Sequence, residues 1–159
     1  ATFNVSNFLV SSVDGELTGI EGRFWLDEGA RRIIKVDATI DVRTVNTKNE
    51  KRDSHLRDED FFHVQKYPRM VFTSEHASEI EQGKKGRLLG ELTLRGITKT
   101  VDLVVDELTF VSTGRARFIA ETELKRKDFG IEYSKAGVGP VVIGLTARIR
   151  VELELVKGR

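Results

Sequence analysis

Residues 141–155 read VVIGLTARIRVELEL, an almost unbroken alternation of apolar and polar side chains. Val141, Ile143, Leu145, Ala147, Ile149, Val151, Leu153 and Leu155 share one side, while Thr146, Arg148, Arg150, Glu152 and Glu154 share the other. Successive Cβ atoms on a strand point to opposite faces, so period two describes a strand with one dry and one wet face. Such a strand would run on the order of 50 Å at roughly 3.4 Å per residue.

The same pattern recurs upstream. Ile34, Val36, Ala38, Ile40 and Val42 alternate with Lys35, Asp37, Thr39 and Asp41. Shorter runs place Leu88, Gly90, Leu92 and Leu94 together, then Val101, Leu103 and Val105, then Ala116, Phe118, Ala120, Thr122 and Leu124. Residues 70–77, which include Phe72, and two N-terminal stretches near 2–13 and 16–26 bring the expected strands to eight. Asp14-Gly15, Gly83-Lys84-Lys85-Gly86, Arg95-Gly96 and Ser112-Thr113-Gly114 supply turn chemistry between the runs. Connections this short favour antiparallel neighbours. An open sheet of eight such strands would expose its edges, and closing it into a barrel removes them. Periodicity leaves a two-layer sandwich as the alternative.

Composition narrows the classes without choosing a function. A chain of 159 residues fits one domain, 1–159, with no repeat or linker to divide it. The net charge of +1 provides no field toward nucleic acid or an anionic membrane, and no apolar run is long enough to span a bilayer. The absence of cysteine excludes disulfides and thiol chemistry. No stretch has the form of a signal peptide. The chain starts at Ala1, so a periplasmic or exported location is expected if that end is processed, and a cytoplasmic one otherwise.

Two stretches break the alternation. Residues 46–68 are rich in charge, and Thr47-x-x-Glu50 reads as a capping box for a short helix over about 52–60, stopped by Pro68. Residues 125–140 contain Lys127-Asp128-Phe129-Gly130 and predict a second helical turn near 126–132.

Both stretches carry a resemblance. T-x-N-E-K-R-D-S-H-L-R-D-E-D-F-F (47–62), Y-P-R-M-V-F-T-S (67–74), G-E-L-T-L-R-G-I-T-K (90–99) and R-K-D-F-G-I-E-Y (126–133) resemble the YceI-like family of lipocalin-like polyisoprenoid-binding proteins. The weaker G-E-L-T-G-I-E-G-R-F (15–24) extends the match upstream. The resemblance implies an extended antiparallel lipocalin-like barrel around an elongated apolar pocket, holding an isoprenoid quinone, a polyprenyl phosphate or another long-chain lipid. The family's usual W-x-I-D-x-x-H-S opening is absent, and Asn7 stands where its next strand carries histidine.

The expected ligand is therefore a long apolar small molecule, with no cofactor required and a homodimer possible. Cavity-lining candidates are Ile34, Val36, Ala38, Ile40, Phe72, Gly90, Leu92, Leu94, Phe118, Ala120, Phe129, Ile143, Leu145, Ala147 and Ile149. Small residues among them leave room for a tunnel, or equally alternate with large ones to fill a packed barrel. Ala120 and Ala147 distinguish the two, because Phe at each is costly in a packed core and tolerated in a tunnel. A difference between these sites would mean a short pocket.

Arg52, Asp53 and His55 are candidates for the ligand's head group, since a guanidinium suits phosphate or carbonyl oxygen. The bland alternative is a solvated helix with Asp53 and Arg57 as an i, i+4 pair. Phe61 and Phe62 are expected to pack under the barrel end. Metal binding is not expected, because His55 and His63 lie eight apart and His76 belongs to another strand. No nucleophile elbow or phosphate loop is present. A binding protein leads, ahead of a packed structural or partner-binding barrel and an enzyme using His55, Asp53 and Asp58.

Overall fold

A computed structural model describes residues 1–6, 12–27, 29–74, 80, 82–132 and 144–157. Among these described residues nine antiparallel strands form one sheet, namely β1 (Thr2–Ser6), β2 (Ser12–Glu16), β3 (Ile20–Asp27), β4 (Arg32–Asp41), β5 (Arg69–Ser74), β6 (Gly86–Leu94), β7 (Ile97–Ser112), β8 (Arg115–Lys125) and β9 (Thr146–Val156). Their order is β2-β1-β9-β8-β7-β6-β5-β4-β3. From β3 to β8 every neighbour in the sheet is also the neighbour in sequence. The only helices among the described residues are α1 (Glu50–Arg57) and 3₁₀ turns at Val42–Thr44 and Arg126–Phe129. None is long and apolar enough to cross a membrane.

The sheet rolls up. Side chains of β3, β4, β5, β6, β7, β8 and β9 face one interior space, which a flat sheet cannot arrange. Phe24 of β3 meets Phe118 of β8 edge-on at 5.4 Å between ring centroids, although the two strands are far apart in the ladder. At one end a bridge between Glu16 and Asn46 joins the edge strand β2 to the chain beyond β4. The Ala1 ammonium donates to the Leu17 carbonyl beside it.

Three sequence expectations change. The 2–13 run divides into β1 and β2, which raises the strand number from eight to nine. Asp14-Gly15 is no turn; it lies within β2, where Gly15 pairs with Phe3 of β1. A Cβ on Gly15 would fall 2.2 Å from Phe3 Cζ, so the glycine gives the ring a surface to lie on. The final strand begins at Thr146, and residues 141–143 lie outside the described residues.

Parity also shifts on β4. Its ladder with β3 slips between Trp25 and Leu26, where Trp25 pairs with Lys35 and Leu26 with Ile33. This bulge leaves Ile34 without an opposite residue and reverses the faces of the residues before it, while Val36, Ala38 and Ile40 keep theirs. Ile33 is buried and Ile34 is 48% exposed. The β6–β7 turn does follow its sequence signal. Arg95 (φ 53°) and Gly96 (φ 72°) are both left-handed, the conformation a tight two-residue hairpin needs.

Two apolar clusters occupy the interior. One, around Leu17, Val42, Phe61 and Phe129, lies near α1. The other, around Ile33, Leu88, Leu108 and Phe118, fills the opposite half. Phe72 of β5 packs against both.

Candidate functional site

The α1 end of the barrel holds a cavity of about 490 Å³, within the usual range of small-molecule sites. Phe3, Val5, Val13 and Leu17 come from the β1–β2 region, and Leu56, Phe61 and Phe62 from α1 and the chain after it. Met70, Leu94, Leu124, Ala147 and Ile149 form its inner wall. Phe129 and Ile131 complete it.

The polar groups on this wall are Asn49, Lys51, Arg52, His55 and Arg126; no Asp or Glu is among the described residues that line it. A cavity walled mainly by apolar side chains, with three permanent cations and a histidine among them, suits a molecule with a long apolar body and an electron-rich oxygen.

Local chemistry fixes α1 in the mouth. Asn49 is the N-cap, its side chain accepting from the Arg52 N–H at 3.0 Å. Thr47 is thus not the cap that the capping-box spacing suggests. Its backbone N–H and hydroxyl donate to Asp53 Oδ1 at 2.8 and 2.5 Å. Arg52 donates through Nε to Thr47 Oγ1 and through Nη2 to the Thr47 carbonyl, at 2.7 and 3.0 Å. Arg57 ties the helix to the preceding segment through the Arg43 and Val45 carbonyls, at 3.0 and 2.8 Å. The Arg95 guanidinium on the β6–β7 turn donates to the Phe61 carbonyl and holds the chain after α1 in place.

The head-group candidates separate. Arg52 and His55 line the cavity, whereas Asp53 is buried against Thr47 and does not. Burial pushes the Asp53 carboxyl up, but the Thr47 hydrogen bonds and the nearby Arg57 and Arg52 charges outweigh it and hold the group below its ordinary value. His55 places Nε2 3.1 Å from Asp60 Oδ2 and stacks edge-on with Phe61 at 5.0 Å. Asp53 and Asp58 therefore do not join His55 in the cavity as an acid/base set. Among the described residues no three His, Asp or Glu side chains group as a metal would require, and His76 lies outside those residues.

Of the cavity-lining candidates, Leu94, Phe129, Ala147 and Ile149 line the large cavity. Val36, Ala38, Ile40, Phe72, Leu92, Phe118 and Ala120 instead surround a much smaller interior space deeper in the barrel, which Ile149 also touches. Gly90 is buried, and its missing side chain is taken up by Phe72, whose Cζ would lie 2.4 Å from a Cβ there. Two candidates face away. Ile34 is outward because of the β4 bulge, and Leu145 precedes β9 and is 57% exposed. Ile143 and Asn7 lie outside the described residues.

Arg126 was not singled out by its sequence pattern. Its Nε donates to the Gly144 carbonyl at 2.8 Å, and burial lowers its pKa, as for any cation drawn from water. The signal was present: Arg126 and Phe129 are three apart, and on a 3₁₀ turn such positions eclipse.

The YceI-like domain model matches residues 1–155. Protein YceI of Escherichia coli O157:H7 is 35% identical over 157 residues, covering 94% of this chain and 78% of that protein. The crystal structure of the Campylobacter jejuni YceI protein superposes with a TM-score of 0.77 at 27% identity, over 97% of this chain and 90% of that one. A polyisoprenoid binding domain from Saccharophagus degradans, implicated in plant cell wall breakdown, shares the fold at TM-score 0.72 and 18% identity, over 99% and 92% of the two chains. This chain belongs to the YceI-like family.

Proposed function

We propose that this protein is a non-enzymatic carrier that holds a chain-shaped apolar molecule, isoprenoid or similar lipid, in the cavity beside α1. The observation that carries the reading is the combination of a 490 Å³, mainly apolar cavity with basic groups on its wall and no acid among its described lining. The shared fold of the Saccharophagus polyisoprenoid binding domain supports the same reading. Each methylene buried is worth roughly 0.8 kcal/mol in gross transfer terms. Ordering the ligand offsets part of this, so retention is possible with few polar contacts. In this reading Arg52, His55 and Arg126 meet the oxygen-bearing end while Phe61, Phe129, Leu94 and Ile149 meet the chain.

Organic extraction of freshly purified protein, followed by mass analysis, tests the proposal beside a native mass spectrum. A lipid adduct that is lost on extraction and regained on reloading is expected. A protein that carries no lipid and takes up none would favour a structural or partner-binding barrel.

A further inference from the structure

The barrel interior continues past the cavity beside α1. Ile20, Phe24, Ala38 and Leu153 line the small inner space and also a further cavity of about 880 Å³ at the far end. This far cavity lies in a seam of the sheet. β3 pairs only with β4, and β9 pairs with β1 only at Arg148–Arg150. From Val151 onward β9 therefore faces β3 with no ladder between them among the described residues. The seam's rim combines two kinds of side chain. Trp25 is 39% exposed and Val156 64%, and both line the cavity. Lys35 Nζ lies 5.0 Å from the centre of the Trp25 ring. Arg23, Arg115 and Lys157 stand on the same lining as exposed cations. The one acid among the described lining residues is Glu154, 3.5 Å from Arg115. A net charge of +1 gives the molecule no overall field, yet this rim carries a surplus of positive charge.

We propose that this seam docks the protein on an anionic lipid bilayer, with Trp25 and Val156 in the headgroup layer and Arg23, Arg115 and Lys157 against lipid phosphate. An amphipathic indole beside aliphatic side chains and guanidinium groups is the composition that settles at a lipid–water interface. Anionic lipid matches the surplus of cations. The inference rests on the carrier reading and adds to it the surface from which cargo moves. Apolar side chains run from Phe24 and Leu153 at the seam inward to Met70, Leu124 and Ile149, which line the cavity beside α1. A chain leaving the bilayer at the seam thus stays among apolar groups.

Trp25 is the only tryptophan in the chain, so its fluorescence reports on this surface alone. The test mixes purified protein with sucrose-loaded vesicles of phosphatidylcholine, alone or with about a quarter phosphatidylglycerol. It reads co-sedimentation beside Trp25 emission. The protein should sediment with the anionic vesicles, with a blue shift of Trp25 and quenching by brominated lipid. Raising the salt to about 1 M, where the Debye length falls to about 3 Å, should release it. Arg23→Gln and Lys157→Gln should each lower the partition coefficient about fivefold, the worth of one cation near such a surface. Equal binding to neutral and anionic vesicles, or none to either, overturns the proposal and leaves the carrier reading standing. Sedimentation with no change at Trp25 overturns it too, because another face then makes the contact. So does self-association without vesicles that Trp25→Ser abolishes, which would assign the seam to a second copy of the chain. The carrier reading fails separately, if the protein takes up no lipid from detergent.

Discussion

Thr47 gives both its backbone N–H and its hydroxyl to one oxygen of Asp53, at 2.8 and 2.5 Å. Arg52 donates to the same threonine hydroxyl and to its carbonyl. This compact network sets where α1 enters the barrel mouth, and hence where the cavity's polar rim lies.

Asp53→Asn keeps an acceptor but removes the charge, and should cost about 1–2 kcal/mol at neutral pH, since hydrogen bonds to charged groups are the stronger ones. The folded Asp53 pKa is depressed. Its contribution is therefore complete above the carboxyl pKa of the unfolded chain and is lost as the pH falls through the lower folded value. Urea unfolding between about pH 7 and pH 3 should give a shallower acid decline for the variant than for the unaltered protein. Parallel declines would mean that other carboxylates carry the acid limb.

Ala120 and Ala147 share inward parity on β8 and β9 but should respond differently to Phe. Ala120 is fully buried, with Val105 and Val151 as its ladder partners. Overpacking there should cost about 1–3 kcal/mol. Ala147, opposite Leu124, borders the large cavity, so a ring fits there and should occupy ligand volume. Thermal unfolding of delipidated protein should show a drop of several degrees for Ala120→Phe and little change for Ala147→Phe. Lipid uptake should fall mainly in the second. Equal destabilisation at both sites would contradict an open cavity at Ala147.

The contrast between those alanines shows what alternation can and cannot reveal. Strand identity and the inward face of β8 and β9 follow from period two, because each residue's side is set by its neighbour's, and antiparallel order follows from the short turns between strands. Alternation says nothing about depth, so it cannot tell that Ala120 is packed and Ala147 borders a void. Nor can it see the bulge that turns Ile34 outward, because one extra residue reverses parity without altering composition. The cap at Asn49 was equally hidden, since Thr47 fits the capping-box spacing and its competing partner Asp53 lies within the helix.

Arg126 lies on the cavity wall with its charge partly drawn from water. Arg126→Met should weaken farnesyl phosphate about tenfold, the lower end for losing a charge-assisted hydrogen bond. Farnesene, which has the chain without the head, should change less than about twofold. Arg126→Lys should recover part of the loss and controls for the bond to Gly144. Equal loss for phosphate and hydrocarbon would assign Arg126 to holding the chain near Gly144 rather than to the ligand.

Gly15 and Gly90 both lie under phenylalanine rings, and what surrounds each makes their substitution distinguishable. At Gly15, the three atoms nearest an added Cβ all belong to the Phe3 ring, at 2.2, 2.5 and 2.9 Å. At Gly90, the Phe72 ring approaches to 2.4 Å, but the backbone carbonyl of Thr73 also stands at 2.5 Å. Gly15→Ala should therefore cost about 1–2 kcal/mol by pushing a movable ring aside. Phe3→Ala in the same chain should abolish that cost, a coupling within the range of about 0.5–3 kcal/mol for touching residues. Gly90→Ala should cost more, and Phe72→Ala should relieve only part of it, because the Thr73 carbonyl cannot rotate away. Because Phe3 lines the large cavity, Gly15→Ala alone should also reduce lipid uptake as the ring moves inward. Double-mutant cycles by urea unfolding at both pairs check this. Full rescue at Gly90, or none at Gly15, would show that the backbone yields where the packing says it should hold.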